Sequence, residues 1–161
     1  MPRQDIAQVY DRHADALYRL ALAQLQSRED AEDAVQDAFA KYLTSAPDFA
    51  DAEQERAWLA RVTVNLCRDQ LRKRKHRGYV PLDDLAETLP TPDGAAEPHG
   101  GGLLEKLSRI PEKHRAAIVL HHLEGYGVEQ TARLLGISVS AVKMRLSRGR
   151  DALRELLEKE G

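Results

Sequence analysis

The sequence predicts an all-α protein of two small helical domains joined by a flexible acidic linker. Three observations predict it. Apolar residues recur at helical spacing in both halves, no alternating strand pattern or internal repeat occurs, and aromatics make up only 5% of the chain. Residues 78–102 interrupt this pattern with Pro81, Pro90, Pro92, Pro98, Gly94 and Gly100-Gly101-Gly102, and every charge there is acidic: Asp83, Asp84, Glu87, Asp93 and Glu97. A segment of that composition buries too little apolar surface to order itself. Beyond it, Gly127–Arg150 reads as two short helices around a tight turn. The expected organisation is a domain over 1–77, a linker over 78–102 and a domain over 103–161.

In the first domain a helix runs from about Ile6 to Leu25, with Tyr10, Ala14, Leu17, Leu20 and Ala21 among its apolar positions. Ser27-Arg-Glu-Asp30 resembles a capping box and starts a second helix. That helix stops before Pro47, because the residue preceding a proline avoids helical geometry. Asp51-Ala-Glu-Gln54 offers the cap for a third, which continues through about Lys75. In the second domain residues 103–125 supply two helices, with Pro111 suited to a helix first turn.

The stretch Gly127–Arg150 is a helix-turn-helix. Ala132 lets two helices cross closely, Gly136 supplies the left-handed residue that ends the first, and Ser138 caps the second. Val142, Leu146, Gly149 and Leu153 then recur on an inner face, leaving Lys143, Met144, Ser147, Arg148 and Asp151 outward. An outward face of that chemistry suits a DNA major groove.

The formal net charge of −2 qualifies this reading. Phosphate neutralisation dominates non-specific affinity, so a protein that grips duplex by itself normally carries excess positive charge. Either this chain dimerises or a larger assembly holds it on DNA. Fully extended, the linker reaches roughly 80 Å, so the two domains can touch sites about two duplex turns apart. A lone Cys67, on an expected core face where a thiol is inert, excludes an intramolecular disulfide and a cysteine-based zinc site. No apolar run approaches a membrane span and the N-terminus lacks a signal-peptide core, which points to a cytoplasmic protein.

On a helical wheel the third helix separates into two arcs. Leu59, Ala60, Val62, Thr63, Val64, Leu66, Cys67 and Leu71 form a core face; Trp58, Arg61, Asn65, Arg68, Asp69 and Arg72 lie opposite. One reading folds Trp58 over the edge of the core beside solvated arginines. The other, favoured by the DNA-binding module downstream, takes Trp58 for base stacking, Asn65 for base edges and the arginines for phosphate.

The second helix carries Asp30, Asp33 and Asp37 on one face, with Glu29 and Gln36 beside them. This is a solvated helix start favoured by the dipole, a Mg²⁺ cluster, or a docking face for a basic protein. The metal reading is weakest, because a metal enzyme for diphosphate substrates needs a deep apolar pocket and a second carboxylate cluster. His114, His121 and His122 share one helical segment without ligand-spaced partners. No nucleophile elbow or phosphate-cradling loop occurs, so no catalytic residue, metal or cofactor is expected.

These parts resemble an extracytoplasmic-function sigma factor, the minimal two-domain class of the bacterial sigma-70 family. The resemblance covers nearly the whole chain. Leu17–Leu22 with Glu29–Tyr42 is similar to the polymerase-docking region, Arg56–Asp69 to the promoter-melting helix, and the helix-turn-helix to the domain that reads the upstream element. It implies that Asp30, Asp33, Gln36 and Asp37 dock on the clamp helices of the largest subunit of RNA polymerase core. It implies that Phe49, Trp58, Arg61, Asn65, Arg68 and Arg72 meet the −10 element, with a base held at the loop of Phe49 to Ala52. It implies that Lys143, Met144, Ser147 and Arg148 read the −35 element, with Arg145 and Arg150 nearer the phosphates. Further implied partners are the flap of the second-largest subunit, promoter DNA and an anti-sigma factor, the free protein being a monomer. The competing readings are a stand-alone helix-turn-helix regulator with an N-terminal sensing or dimerisation domain, and a metal-dependent enzyme with a DNA-binding appendage. A regulator binds a palindromic duplex as a dimer; a sigma factor binds duplex weakly alone and loads on core as one copy.

Overall fold

The computed structural model describes residues 5–76 and 98–160, with residues 76, 98–101 and 160 described through their backbone alone. All regular structure among the described residues is helical: α1 (Ile6–Leu25), α2 (Arg28–Ser45), α3 (Ala52–His76), α4 (Pro98–Ser108), α5 (Glu112–Ile118), a π-helical turn (Val119–Leu123), α6 (Val128–Leu135) and α7 (Val139–Glu160). The chain divides into two compact units, within Met1–Arg72 and within Lys73–Gly161.

In the first unit each helix starts on a side-chain cap. Asp5 accepts from the Ala7 amide (3.1 Å), Ser27 Oγ from the Asp30 amide (3.1 Å), and Asp51 Oδ1 from the Gln54 amide (2.9 Å). These caps satisfy N–H groups that a first turn leaves without partners. Gln26 joins α1 to α2 in the left-handed region at φ 56°, its side-chain amide donating to the Ala23 carbonyl at 2.7 Å. The core forms where the apolar stripes meet. Val9 and Leu17 of α1, Val35, Ala38, Phe39 and Tyr42 of α2 and Leu59 of α3 make one cluster; Ala21, Leu25, Ala31, Ala34 and Cys67 make the next.

In the second unit α5 and α6 pack on α7, and the π-helical turn lies against α5 and α6. Leu107, Ile110, Ile118, Val119, Leu120, Leu135, Val142 and Leu146 are among its buried apolar residues. Arg115 is buried too, and its guanidinium donates to the carbonyls of Leu107 (3.4 Å), in the last turn of α4, and Ile110 (3.2 Å), in the link to α5. Gly136, at φ 70°, ends α6, with the Ile137 amide closing on the Ala132 carbonyl at 3.0 Å. That closure is available to glycine at little cost and turns the chain directly into α7.

Two starts differ from the sequence expectation. The helix α4 begins at Pro98, inside the span 78–102 read as linker, because a proline suits the first helical position, where its missing N–H costs nothing. The remainder of that span, with its acidic residues, lies outside the described residues. Pro111 caps α5 from an extended conformation (ψ 142°), one residue ahead of the first turn expected for it.

Candidate nucleic-acid interface

The recognition-helix face follows from how α7 is held. Ser138 Oγ accepts from the Ala141 amide at 3.0 Å and so fixes the start of α7. Val142 and Leu146 are buried, and Gly149 lies against α5. The opposite side is thereby turned to solvent: Lys143, Met144, Ser147, Arg148 and Arg150 are exposed, and Arg145 is half-buried at the margin. Met144, 48% exposed at the centre of this basic face, has no core role and is available for apolar contact with a base edge. Two histidines feel the charges of this face. Burial, and then the charges of Arg148, Arg145 and Lys113, hold the His114 imidazole below the usual histidine range. Burial, then His121 and Arg150, do the same for His122.

The residues expected at the −10 element lie on α3 and the loop before it. Arg61, Asn65 and Arg72 are exposed and Arg68 is half-buried, while Leu59, Val64 and Cys67 beneath them are buried. Arg72 pairs with Asp69 at 3.1 Å, a solvent-exposed ion pair of little energetic weight. Trp58 stands at the edge of the core. It is half-buried, with its ring 6.1 Å from Tyr42 (edge-on) and 6.0 Å from Phe49; Phe49 in turn stacks on Tyr42 at 6.2 Å. The three rings form a triangle whose inner corner is the buried Tyr42 and whose outer corners are the two residues proposed for DNA.

Beneath the triangle is a buried charge that the sequence reading missed. Glu55, 4% exposed, receives Arg12 (2.7 Å) and His13 Nε2 (2.8 Å) on Oε1 and the Tyr42 hydroxyl (2.9 Å) on Oε2. A carboxylate only accepts, so the His13 nitrogen facing it carries the hydrogen. Burial, the largest influence, pushes the Glu55 pKa up; hydrogen bonds from His13, Tyr42 and Arg12, with the charge of His13, outweigh it and hold it below the glutamate range. The available signal was position: Glu55 is one turn before Leu59 on the core arc, and His13 falls between Val9 and Leu17. A charge and an imidazole on apolar stripes require partners.

The acidic face of α2 is also turned outward. Asp33, Gln36 and Asp37 are exposed and Asp30 is half-buried beside its cap, while Ala31, Ala34, Val35 and Ala38 on the other side are buried. Among the described residues no group of three His, Cys, Asp or Glu side chains is placed to hold a metal ion. No helix among them is long and apolar enough to cross a membrane.

Known proteins share this arrangement. Residues 9–77 match the family model described as sigma-70 region 2, and residues 101–153 match that described as sigma-70 region 4. The ECF RNA polymerase sigma factor SigM of Mycobacterium tuberculosis is 36% identical over 151 residues, 93% of this chain and 76% of that protein. SigW of Bacillus subtilis, likewise an ECF RNA polymerase sigma factor, is 28% identical over 94% of this chain and 88% of its own. Among solved structures, CnrH in complex with the cytosolic domain of CnrY aligns with a TM-score of 0.73 at 28% identity, covering 97% of this chain and 89% of CnrH. The sigma factor RpoE of Bartonella quintana, solved with the anti-sigma factor NepR, has the same fold at a TM-score of 0.72 and 24% identity, over 97% of this chain and 98% of its own. Regions 2 and 4 on successive helical units define the class, a sigma-70-type sigma factor. The chain belongs to the extracytoplasmic-function (ECF) sigma factors, which direct transcription initiation by RNA polymerase and are not enzymes.

Proposed function

We propose that the chain binds RNA polymerase core through the acidic face of α2 (Asp30, Asp33, Gln36 and Asp37) and places the polymerase at promoters with its other two faces. The clamp helices of the largest subunit receive α2, and the second unit meets the flap of the second-largest. Phe49, Trp58, Arg61, Asn65, Arg68 and Arg72 engage the −10 element as its strands separate, aromatic rings for bases and guanidinium groups for phosphate. Lys143, Met144, Ser147 and Arg148 read the −35 element from the major groove, and Arg145 and Arg150 lie toward its backbone.

The observation that carries this reading is the separation of charge between the units: an exposed acidic face on α2 and an exposed basic face on α7, in a chain whose net charge is −2. Such a protein gains little from duplex phosphate on its own, and its place on DNA depends on the polymerase. It acts in the cytoplasm as a monomer until it joins core. An anti-sigma factor is the further partner we infer, because CnrH, 28% identical, was solved with the cytosolic domain of a partner protein.

Run-off transcription from a genomic DNA library, with purified core polymerase and this protein, tests the whole reading. New start sites sharing two spaced elements are expected only when the protein is added. Identical start sites with core alone defeat it.

A further inference from the structure

Nothing in the reading above uses Glu55, yet three side chains converge on its carboxylate. It lies in the first turn of α3, between the loop bearing Phe49 and the turn bearing Trp58. Three partners reach it from two other helices: Arg12 and His13 from α1 and Tyr42 from α2. A buried ion pair is poor evidence of stability, since apolar residues of similar volume often serve a core as well or better. Nor is Glu55 needed to start α3, because Asp51 caps that helix at 2.9 Å. What the carboxylate fixes is the far end of the Tyr42 ring, and that ring is the inner corner of the triangle with Phe49 and Trp58.

On the reading that Phe49 and Trp58 meet the −10 strand, we propose that Glu55 is a positioning residue for promoter opening: held by Arg12 and His13, it orients Tyr42 and thereby presets the Phe49–Trp58 pair before DNA arrives. A stacking platform whose rings are ordered in the free protein loses less conformational freedom on binding, so more of its contact energy goes into separating strands. Arg12 is 36% exposed on its side chain and stands at the rim, so the network closes over the carboxylate without sealing it from the protein surface.

Trp58 is the sole tryptophan of the sequence, and its fluorescence reports on the platform in the free, full-length protein without any nucleic acid. Glu55→Gln keeps the shape and removes the charge; Tyr42→Phe removes only the hydroxyl at the other end of the same bond. Both variants are expected to alter Trp58 emission and its quenching by acrylamide. Both should slow open-complex formation by the holoenzyme about three- to tenfold, the weight of one such hydrogen bond, at unchanged affinity for core. Leu25→Ala, a core truncation in the neighbouring cluster, is expected to lower the melting temperature without slowing opening. Folded Glu55→Gln and Tyr42→Phe proteins with wild-type fluorescence and opening rates overturn the proposal. So does a Leu25→Ala protein that opens as slowly as they do, because the effect is then stability alone. Trp58→Ala separates the two ideas: wild-type opening by Trp58→Ala removes the −10 reading and the positioning role with it. Slow opening by Trp58→Ala beside normal opening by Glu55→Gln and Tyr42→Phe removes the positioning role only.

Discussion

Gly149 of α7 lies so close to Ile118 of α5 that a methyl group on its Cα would stand 2.8 Å from Ile118 Cγ1 and 3.1 Å from Cδ1. Ile118 is buried and its γ carbon is near the backbone, so it has little room to retreat. The glycine therefore sets how near the two helices cross, and with it the pose of the basic face that α7 turns outward. Overpacking of this kind costs about 1–3 kcal/mol, against up to about 1 kcal/mol returned by helix propensity. Gly149→Ala should thus lower stability by about 1 kcal/mol, read from thermal unfolding. Combined with Ile118→Ala, it should cost less than the sum of the two single changes, since the truncation makes the room the methyl needs. Strict additivity would show that the crossing is not what the glycine serves.

A second expectation concerns pH and the −35 element. His114 is held low by burial and then by Arg148, Arg145 and Lys113, and His122 by burial and then by His121 and Arg150. Phosphates placed against those arginines cancel their fields, so the histidines hold protons more tightly in the complex than in the free protein. A group whose pKa rises on binding takes up a proton, and affinity then grows as pH falls. Binding to a −35 duplex should strengthen as pH falls through and below about 6.5, the ordinary histidine value, and His114→Gln with His122→Gln should flatten the trend. A profile equally steep in the double variant would assign the effect to other groups.

What was legible in the sequence was what is local. Ser27, Asp51, Gly136 and Ser138 act on amides or carbonyls within a few residues, and the structure uses each at the helix end expected of it. The inner faces of α3 and α7 followed from periodicity alone, with Leu59, Cys67, Val142 and Leu146 buried. What was not legible depends on partners far apart along the chain. The Glu55 network joins residues separated by 13, 42 and 43 positions. Its placement on a core arc announced a need for partners without naming them. The place of Trp58 shows the same limit. A wheel puts it on the arc opposite the core face, and its ring contacts with Tyr42 and Phe49 come from outside its helix.

The acidic face of α2 yields a third expectation. Asp33 is exposed on the side opposite buried Ala34, Val35 and Ala38, so reversing its charge leaves the helix packed as before. Asp33→Arg should weaken binding to polymerase core about tenfold or more, by placing a cation where a basic partner docks. Its melting temperature and its preference among −35 duplexes should stay those of the parent protein. Full core affinity in titrations of the variant would remove α2 from the docking surface.

The last expectation is acid sensitivity of the first unit. The Glu55 carboxyl is held below its ordinary range because three donors outweigh the burial that would push it up. The unfolded chain therefore binds a proton at Glu55 more readily than the folded one. Stability from this group is complete above the unfolded glutamate range and is lost as pH falls through the lower folded value. Glu55→Gln, which has no carboxyl to titrate, should be less stable than the parent by about 1–3 kcal/mol at pH 7, the weight of hydrogen bonds to a charged group. That gap should narrow as pH is lowered below about 4.3, where free glutamate protonates. Chemical unfolding of both proteins followed from pH 7 to about 3 decides it. A gap that stays constant across that span would mean that the carboxylate charge is not what Arg12, His13 and Tyr42 hold in place.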